Sequence, residues 1–305
     1  MRIVFMGTPS FAVPSLERLI ADGHEICGVF TQPDKPQNRG MKLTPSPVKK
    51  AALACGIPVF QPVTLKTGEV LEQLQALKPD LIAVAAYGKL LPQSILDLPR
   101  LGCINVHSSL LPKYRGAAPI HWAILNGEAE TGVTIMHMAA GLDTGDMILS
   151  QSTPIDPDET VEQLHDRLAQ IGAGLLSQAV EQLEAGTARR VPQDGSLSCY
   201  APMLSRELSP VDWSRSAREI HNQVRGLIPW PAAATELGGV KFKLFSVSET
   251  GEETKLPPGT VIRTDKKGIY TACGDGKVLR IDELQAEGGK RMGAADYLRG
   301  HPMTF

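Results

Sequence analysis

Short apolar runs alternate with amphipathic stretches through the first half of the chain. Residues 2–7 (RIVFMG), 25–30 (EICGVF), 57–60, 80–86 (DLIAVAA), 101–106 and 131–138 each read as a buried strand. Between them, 11–21, 47–55 and 71–77 carry apolar residues at helical spacing. In the first of these, Phe11, Leu16, Leu19 and Ile20 share one face. Near-continuous apolar strands separated by helices predict an α/β domain, a mostly parallel sheet covered on both faces. Residues 160–184 predict one long amphipathic helix, ended by Gly186.

The texture then changes. Residues 193–205 (QDGSLSCYAPMLS) are rich in turn formers, have no clear period and read as a linker. A further helix is expected over 214–226. Alternating segments follow at 240–247 (VKFKLFSV), 259–263, 269–273 and 277–281, broken by Gly, Pro and Asp. Short strands at this spacing predict a small antiparallel barrel or sandwich.

Composition narrows the function classes. With 305 residues the chain has room for two domains, and 42% hydrophobic with 21% charged residues is ordinary for a globular protein. The net charge of −2 argues against a general nucleic-acid coat. From Arg206 onward, however, 15 Lys/Arg stand against 13 Asp/Glu, while the first 205 residues carry 16 against 20. The tail is mildly basic and permits an anionic partner. The five cysteines form no CxxC pair and have no His at ligand spacing, so neither a disulfide framework nor a metal site is expected. Cys27, Cys55 and Cys103 sit beside apolar residues and read as buried thiols. No signal core precedes the first strand and no run is long enough to span a bilayer, which places the expected location in the cytoplasm.

Three segments carry candidate chemistry. The turn GTPSFA from Gly7 lacks GxGxxG spacing, and Pro9 stands where a pyrophosphate would need close backbone approach, so dinucleotide binding is not expected. Residues 31–50 (TQPDKPQNRGMKLTPSPVKK) are too long and polar for an ordinary connection. They hold Lys35, Arg39, Lys42, Lys49 and Lys50 against the single acid Asp34. Composition alone favours a solvated insertion, and the alternative is a positive loop that meets phosphates.

The third segment is INVHSSLLPKYRGAAP (104–119). Its strand should deliver Asn105 and His107, on one side of an extended chain, to the carboxyl edge of the sheet. An amide beside an imidazole suits a developing oxyanion. Alone, the same spacing reads as a satisfied loop amide and a half-buried histidine. The strand over 131–138 is followed by GLDTGD, and Asp143 there, expected at the same edge, could orient His107 and favour its charged form.

NVHSSLLPKYRGAAP followed by HMAAGLDTGD closely resembles the folate-dependent formyltransferases, and the resemblance covers the whole chain. It implies a Rossmann-like catalytic domain over 1–189, a linker over 190–208 and a C-terminal barrel of OB-fold type over 209–305. It implies a catalytic trio of Asn105, His107 and Asp143. It also implies a 10-formyltetrahydrofolate turn made of Ser109, Leu110, Leu111 and Pro112, and no metal. The match is closest to the branch of the family that formylates methionyl initiator tRNA. The segment PQNRGMKLTPSPVK then corresponds to the loop reaching toward the tRNA, with Arg39 matching its arginine and Lys42 beside it. The implied protein is a monomer. Competing readings are a formyltransferase for a small amine (a nucleotide amino-sugar or glycinamide ribonucleotide), a non-catalytic RNA-binding protein, and a folate hydrolase. Arg115 receives no role from the sequence.

Overall fold

The computed structural model describes residues 1–37 and 42–301. The chain divides into two compact units. The first comprises Met1–Pro119, Glu130–Pro154 and His165–Pro202; the second comprises Ile120–Ala129, Ile155–Leu164 and the chain from Met203 onward.

The strands of the first unit are β1 (Arg2–Gly7), β2 (Glu25–Phe30), β3 (Lys35–Gln37), β4 (Lys42–Thr44), β5 (Val59–Phe60), β6 (Leu81–Ala85), β7 (Cys103–His107), β8 (Arg115–Gly116), β9 (Glu130–His137), β10 (Met147–Pro154) and β11 (Tyr200–Ala201). Seven of them form one sheet in the order β10-β9-β7-β6-β1-β2-β5. The five strands from β5 to β7 run parallel. Every residue of β6 and five consecutive residues of β1 (Ile3, Val4, Phe5, Met6 and Gly7) are buried. Strands covered on both faces can be apolar throughout, which is why their sequences do not alternate. On one face Val4, Met6, Ile82 and Val84 pack with Val70 and Leu74 of helix α3 (Gly68–Leu77) and with Ile95 and Leu96 of α4 (Gln93–Leu96).

The helices earlier in the unit are α1 (Val13–Ala21) and α2 (Pro47–Ala54). Phe11 is buried but lies in a 3-10 turn before α1, and Ser46 caps α2 by accepting the Lys49 N–H. Cys55 corrects an expectation. It is exposed, because it stands at the C-cap of α2, beyond the buried Val48–Ala52 face. Cys27 and Cys103 are buried as expected, and burial pushes the Cys103 thiol up to about 12.

Two further corrections bear on function. First, β9 runs antiparallel to β7, with Asn105 opposite Met136 and Ile104 opposite His137. The end of β9 therefore lies toward the start of β7, not at the shared carboxyl edge. A strand buried on both faces, as all of β9 is after Glu130, reads the same in either direction. The missing cue was β10, whose exposed Ser150, Gln151 and Ser152 hide a strand that returns antiparallel to β9. Second, the expected linker over 190–208 is structured in its first part. Val191 and Met147 exchange both backbone hydrogen bonds at 2.8 and 2.9 Å, and β11 pairs in parallel with β8. Bridges of one or two residues leave no periodic signal in sequence.

Residues 31–50 are not a plain solvated insertion among the described residues. β3 and β4 form a hairpin, and the Lys49 ammonium lies 2.7 Å from the Asp34 carboxylate. Gln61 bonds both partners, and Lys49 and Gln61 together hold the Asp34 carboxyl below its ordinary range. Arg39 falls outside the described residues, and Lys42 is the first residue of β4.

Helix α5 (Pro119–Leu125) follows β8, and α6 (Val161–Glu184) follows β10. A side chain at Gly172 of α6 would come within 2.8 Å of a Val106 methyl, so Val106 faces that helix. By strand alternation Asn105 and His107 face the other way.

The second unit is an antiparallel β domain. Its strands are β12 (Ala233–Leu237), β13 (Val240–Glu253), β14 (Val261–Thr264), β15 (Ile269–Ala272), β16 (Lys277–Ala286) and β17 (Met292–Gly293). They are ordered β12-β13-β16-β15-β14, with β17 on β16. Register shifts along β13 accompany its 14-residue length. Helix α7 (Ala217–Gly226) opens on a reciprocal capping box between Ser216 and Glu219. It buries Ala217, Ile220 and Val224 against Phe242, Leu244, Leu279 and Ile281. Replacing Phe242 by Ala there should cost about 3–5 kcal/mol. Helix α8 (Ala294–Gly300) ends the described chain, packing Tyr297 edge-on to Phe242. No described helix is long and apolar enough to cross a membrane.

Candidate active site

Strand β7 is pinned between β6 and β9, so its register fixes where Asn105 and His107 stand. His107 is buried. Its Nε2–H donates to the Tyr114 carbonyl at 2.9 Å, since a carbonyl can only accept. That bond leaves Nδ1 as the ring atom available for chemistry. Nδ1 lies 3.7 Å from Asp143 Oδ2, with the two side chains 6% and 13% exposed. The separation is too long for a direct hydrogen bond but places the carboxylate beside the ring nitrogen. Asn105 is half-buried, and among the described residues its side-chain amide has no hydrogen-bond partner.

Asp143 reaches this position from a loop, not from a strand end. His137 N–H donates to the Asp146 carbonyl at 2.8 Å, closing the base of the loop between β9 and β10. Gly145 sits in that base, where an added Cβ would fall 1.7 Å from the His137 carbonyl oxygen, so only glycine fits. Asp143 itself adopts a left-handed conformation at φ 51°, which Asp tolerates better than most residues. Its Oδ2 accepts the Gly116 N–H at 2.8 Å. Gly116 has φ 119°, and a side chain there would strike Tyr200 and the Ala201 carbonyl.

His107 and Asp143 thus approach each other, with Asn105 two positions earlier on β7, although the strand before Asp143 runs opposite to the expected direction. His137, next to the loop, is a separate buried group. Burial, followed by the nearby Arg190, lowers its pKa, and Asp146 opposes the shift.

The turn at Ser109, Leu110, Leu111 and Pro112 is fixed by its own bonds. Ser109 Oγ donates to the Lys113 carbonyl, Thr134 Oγ1 donates to the Ser109 carbonyl, and Leu111 N–H donates to Thr134 Oγ1. Its polar groups are largely spent internally, while Leu110 and Pro112 remain half-buried. The turn is thus held by its own bonds and keeps apolar surface at Leu110 and Pro112. Sequence reasoning missed Thr134, the Tyr114 carbonyl and Gln193. The first lies in a buried strand with no motif, the second is a backbone group, and the third lies in a stretch with no periodicity.

The formyl transferase family matches residues 1–180, and the formyl transferase C-terminal domain matches residues 203–302. The chain belongs to the formyl transferase family. A relative named methionyl-tRNA formyltransferase, from Trichlorobacter lovleyi, is 53% identical over 304 residues, covering 100% of this chain and 95% of its own length. Solved structures share the fold. HypX from Aquifex aeolicus in complex with tetrahydrofolic acid superposes with a TM-score of 0.68 at 20% identity, over 98% of this chain and 47% of HypX, so the chain spans about half of that protein. An N-formyltransferase from Helicobacter canadensis, in complex with folinic acid and dTDP-3-aminofucose, gives a TM-score of 0.67 at 19% identity. It covers 92% of this chain and 98% of its own. Across this formyl transferase chain the match includes both β7 and the loop that carries Asp143.

Proposed function

We propose that the chain transfers the formyl group of 10-formyltetrahydrofolate to the α-amino group of methionyl initiator tRNA, for translation initiation in the cytoplasm. The approach of His107 Nδ1 and Asp143 Oδ2 to 3.7 Å, beside an unengaged Asn105 amide, carries the chemical part of this reading. The acceptor rests on the full-length relative from Trichlorobacter lovleyi. We assign the catalytic domain to 1–189, a connection structured in its first part to 190–208, and a tRNA-binding OB-type domain to 209–305. Lys241 and Lys243, exposed on alternate positions of β13, and exposed Lys266, Lys267 and Lys290 give that domain cations for phosphate contact. Arg39 and Lys42 are assigned to the tRNA acceptor end, and the protein is taken to act as a monomer.

When bound, the cosubstrate supplies the formyl carbon, whose bond to the folate nitrogen breaks as the bond to the methionyl nitrogen forms. Ser109, Leu110, Leu111 and Pro112 hold its heterocycle. Asn105 donates its amide N–H to the formyl oxygen as negative charge develops there. His107, with Nε2–H committed to Tyr114, offers a second donor only when Nδ1 is also protonated, so it acts as the imidazolium. Asp143 stabilises that cation and takes up the proton that the attacking amine loses, for delivery to the departing nitrogen. No metal enters the scheme.

The deciding assay is formyl transfer to charged initiator tRNA in competition with a nucleotide amino-sugar. Preference for the tRNA is expected. Preference for the sugar would overturn the acceptor assignment, and release of formate without an acceptor would overturn transfer itself.

A further inference from the structure

Tyr114 and Gly116 touch the trio directly, and Arg115 between them reaches it through Gln193. The Tyr114 carbonyl fixes His107 and the Gly116 N–H fixes the Asp143 carboxylate. Arg115 reaches Asp143 indirectly. Its Nε and Nη2 donate to Gln193 Oε1 at 3.1 and 2.8 Å. Gln193 Nε2 in turn donates to the Asp143 carbonyl at 2.9 Å and to the Gly145 carbonyl at 2.7 Å. All the strong hydrogen-bonding capacity of the Gln193 amide is used: two acceptor contacts and two N–H donors. Turning the amide over would set an oxygen against two carbonyls and an NH2 against a guanidinium, so its orientation is fixed.

The same segment is held along its length. Arg115 N–H donates to the Cys199 carbonyl, Ala117 and Ala118 N–H groups donate to the Ala201 carbonyl, and Val191 is bridged to Met147. We infer that Gln193, oriented by Arg115, is a positioning residue that holds the Asp143 loop in its left-handed, His107-facing conformation. Residues 191–201 then act as a strap that links β8 to the loop base. The inference rests on the trio reading above, and it assigns Arg115 and Gln193 roles that the trio lacks. Neither residue touches the reacting atoms. Their effect should therefore pass through Asp143 alone.

The test is a double-mutant cycle on the full chain, with formyl transfer to methionyl-tRNA measured for wild type, Gln193→Ala, Asp143→Asn and the double variant. Misplacing a catalytic group by about 1 Å costs on the order of 100-fold, so Gln193→Ala should lose roughly 10- to 100-fold in kcat with both KM values changed less than about threefold. The double variant should be no slower than Asp143→Asn, within about twofold, because the two act as one unit. Gln193→Glu keeps the size and the Arg115 contact but removes both donors, and should be as slow as Gln193→Ala while melting near wild type. The inference is overturned, with the trio intact, if Gln193→Ala and Gln193→Glu stay within about twofold of wild type. It is equally overturned if the Gln193→Ala loss multiplies in full onto Asp143→Asn. An Asp143→Asn enzyme at the wild-type rate would instead sink the trio reading, and this inference with it.

Discussion

The two halves of the candidate site are built differently. Asn105 and His107 stand on β7, an interior strand whose register is set by neighbours on both sides. Asp143 stands on an excursion between antiparallel strands, held at a left-handed φ by Gly116, Gln193 and a glycine in its base. A strand-borne group inherits its position from the core. A loop-borne group needs contacts made for it, and two of those contacts come from distant residues, Gly116 at 27 and Gln193 at 50 positions from Asp143. Changes on β7 should therefore alter chemistry while leaving the fold alone, whereas changes around the loop should displace Asp143.

The largest effect is expected at the strand. Asn105→Ala removes an oxyanion donor from a fixed position and should slow formyl transfer by on the order of 100-fold or more, with the melting temperature close to wild type. A small rate change would show that the unengaged amide has another purpose. Gly145→Ala comes next. A methyl cannot occupy the space beside the His137 carbonyl, so the loop base must open. Activity should fall roughly 10- to 100-fold, and exchange of the His137 amide, which donates to the Asp146 carbonyl, should quicken, which a strand variant would not cause.

The smallest effect tests the loop base by pH. The pKa of His137 is lowered in the fold by burial and then by Arg190, against the pull of Asp146. Its neutral form is favoured, so its contribution is fully present above the unfolded value of about 6.5 and is lost as pH falls below it. His137→Gln should flatten the loss of melting temperature between about pH 7 and pH 5.5. An unchanged pH slope would show that His137 does not titrate on unfolding.

The same contrast governs what could be read from sequence. The parallel strands were legible because double burial writes an unbroken apolar run, as in β1 and β6. The antiparallel β domain was legible from alternation, as Lys241, Phe242, Lys243 and Leu244 show along β13. The direction of β9 was not legible, since a doubly buried strand carries no arrow. Asp143 was found from its motif and does meet His107, but the strand before it was read in the wrong direction. Gln193 and Arg115 were missed because their work is done by single side-chain bonds across long sequence separation. Lys49 looked free for phosphate but is paired with Asp34, a partner only 15 residues away that composition had counted merely as one acid.

The central claim is that Asp143, brought to His107 by its loop, carries the proton economy of formyl transfer. Single-turnover formylation of methionyl-tRNA by a folded Asp143→Asn variant tests it most directly. The account predicts a rate lower by on the order of 100-fold or more, with substrate binding retained. A rate near wild type would contradict it.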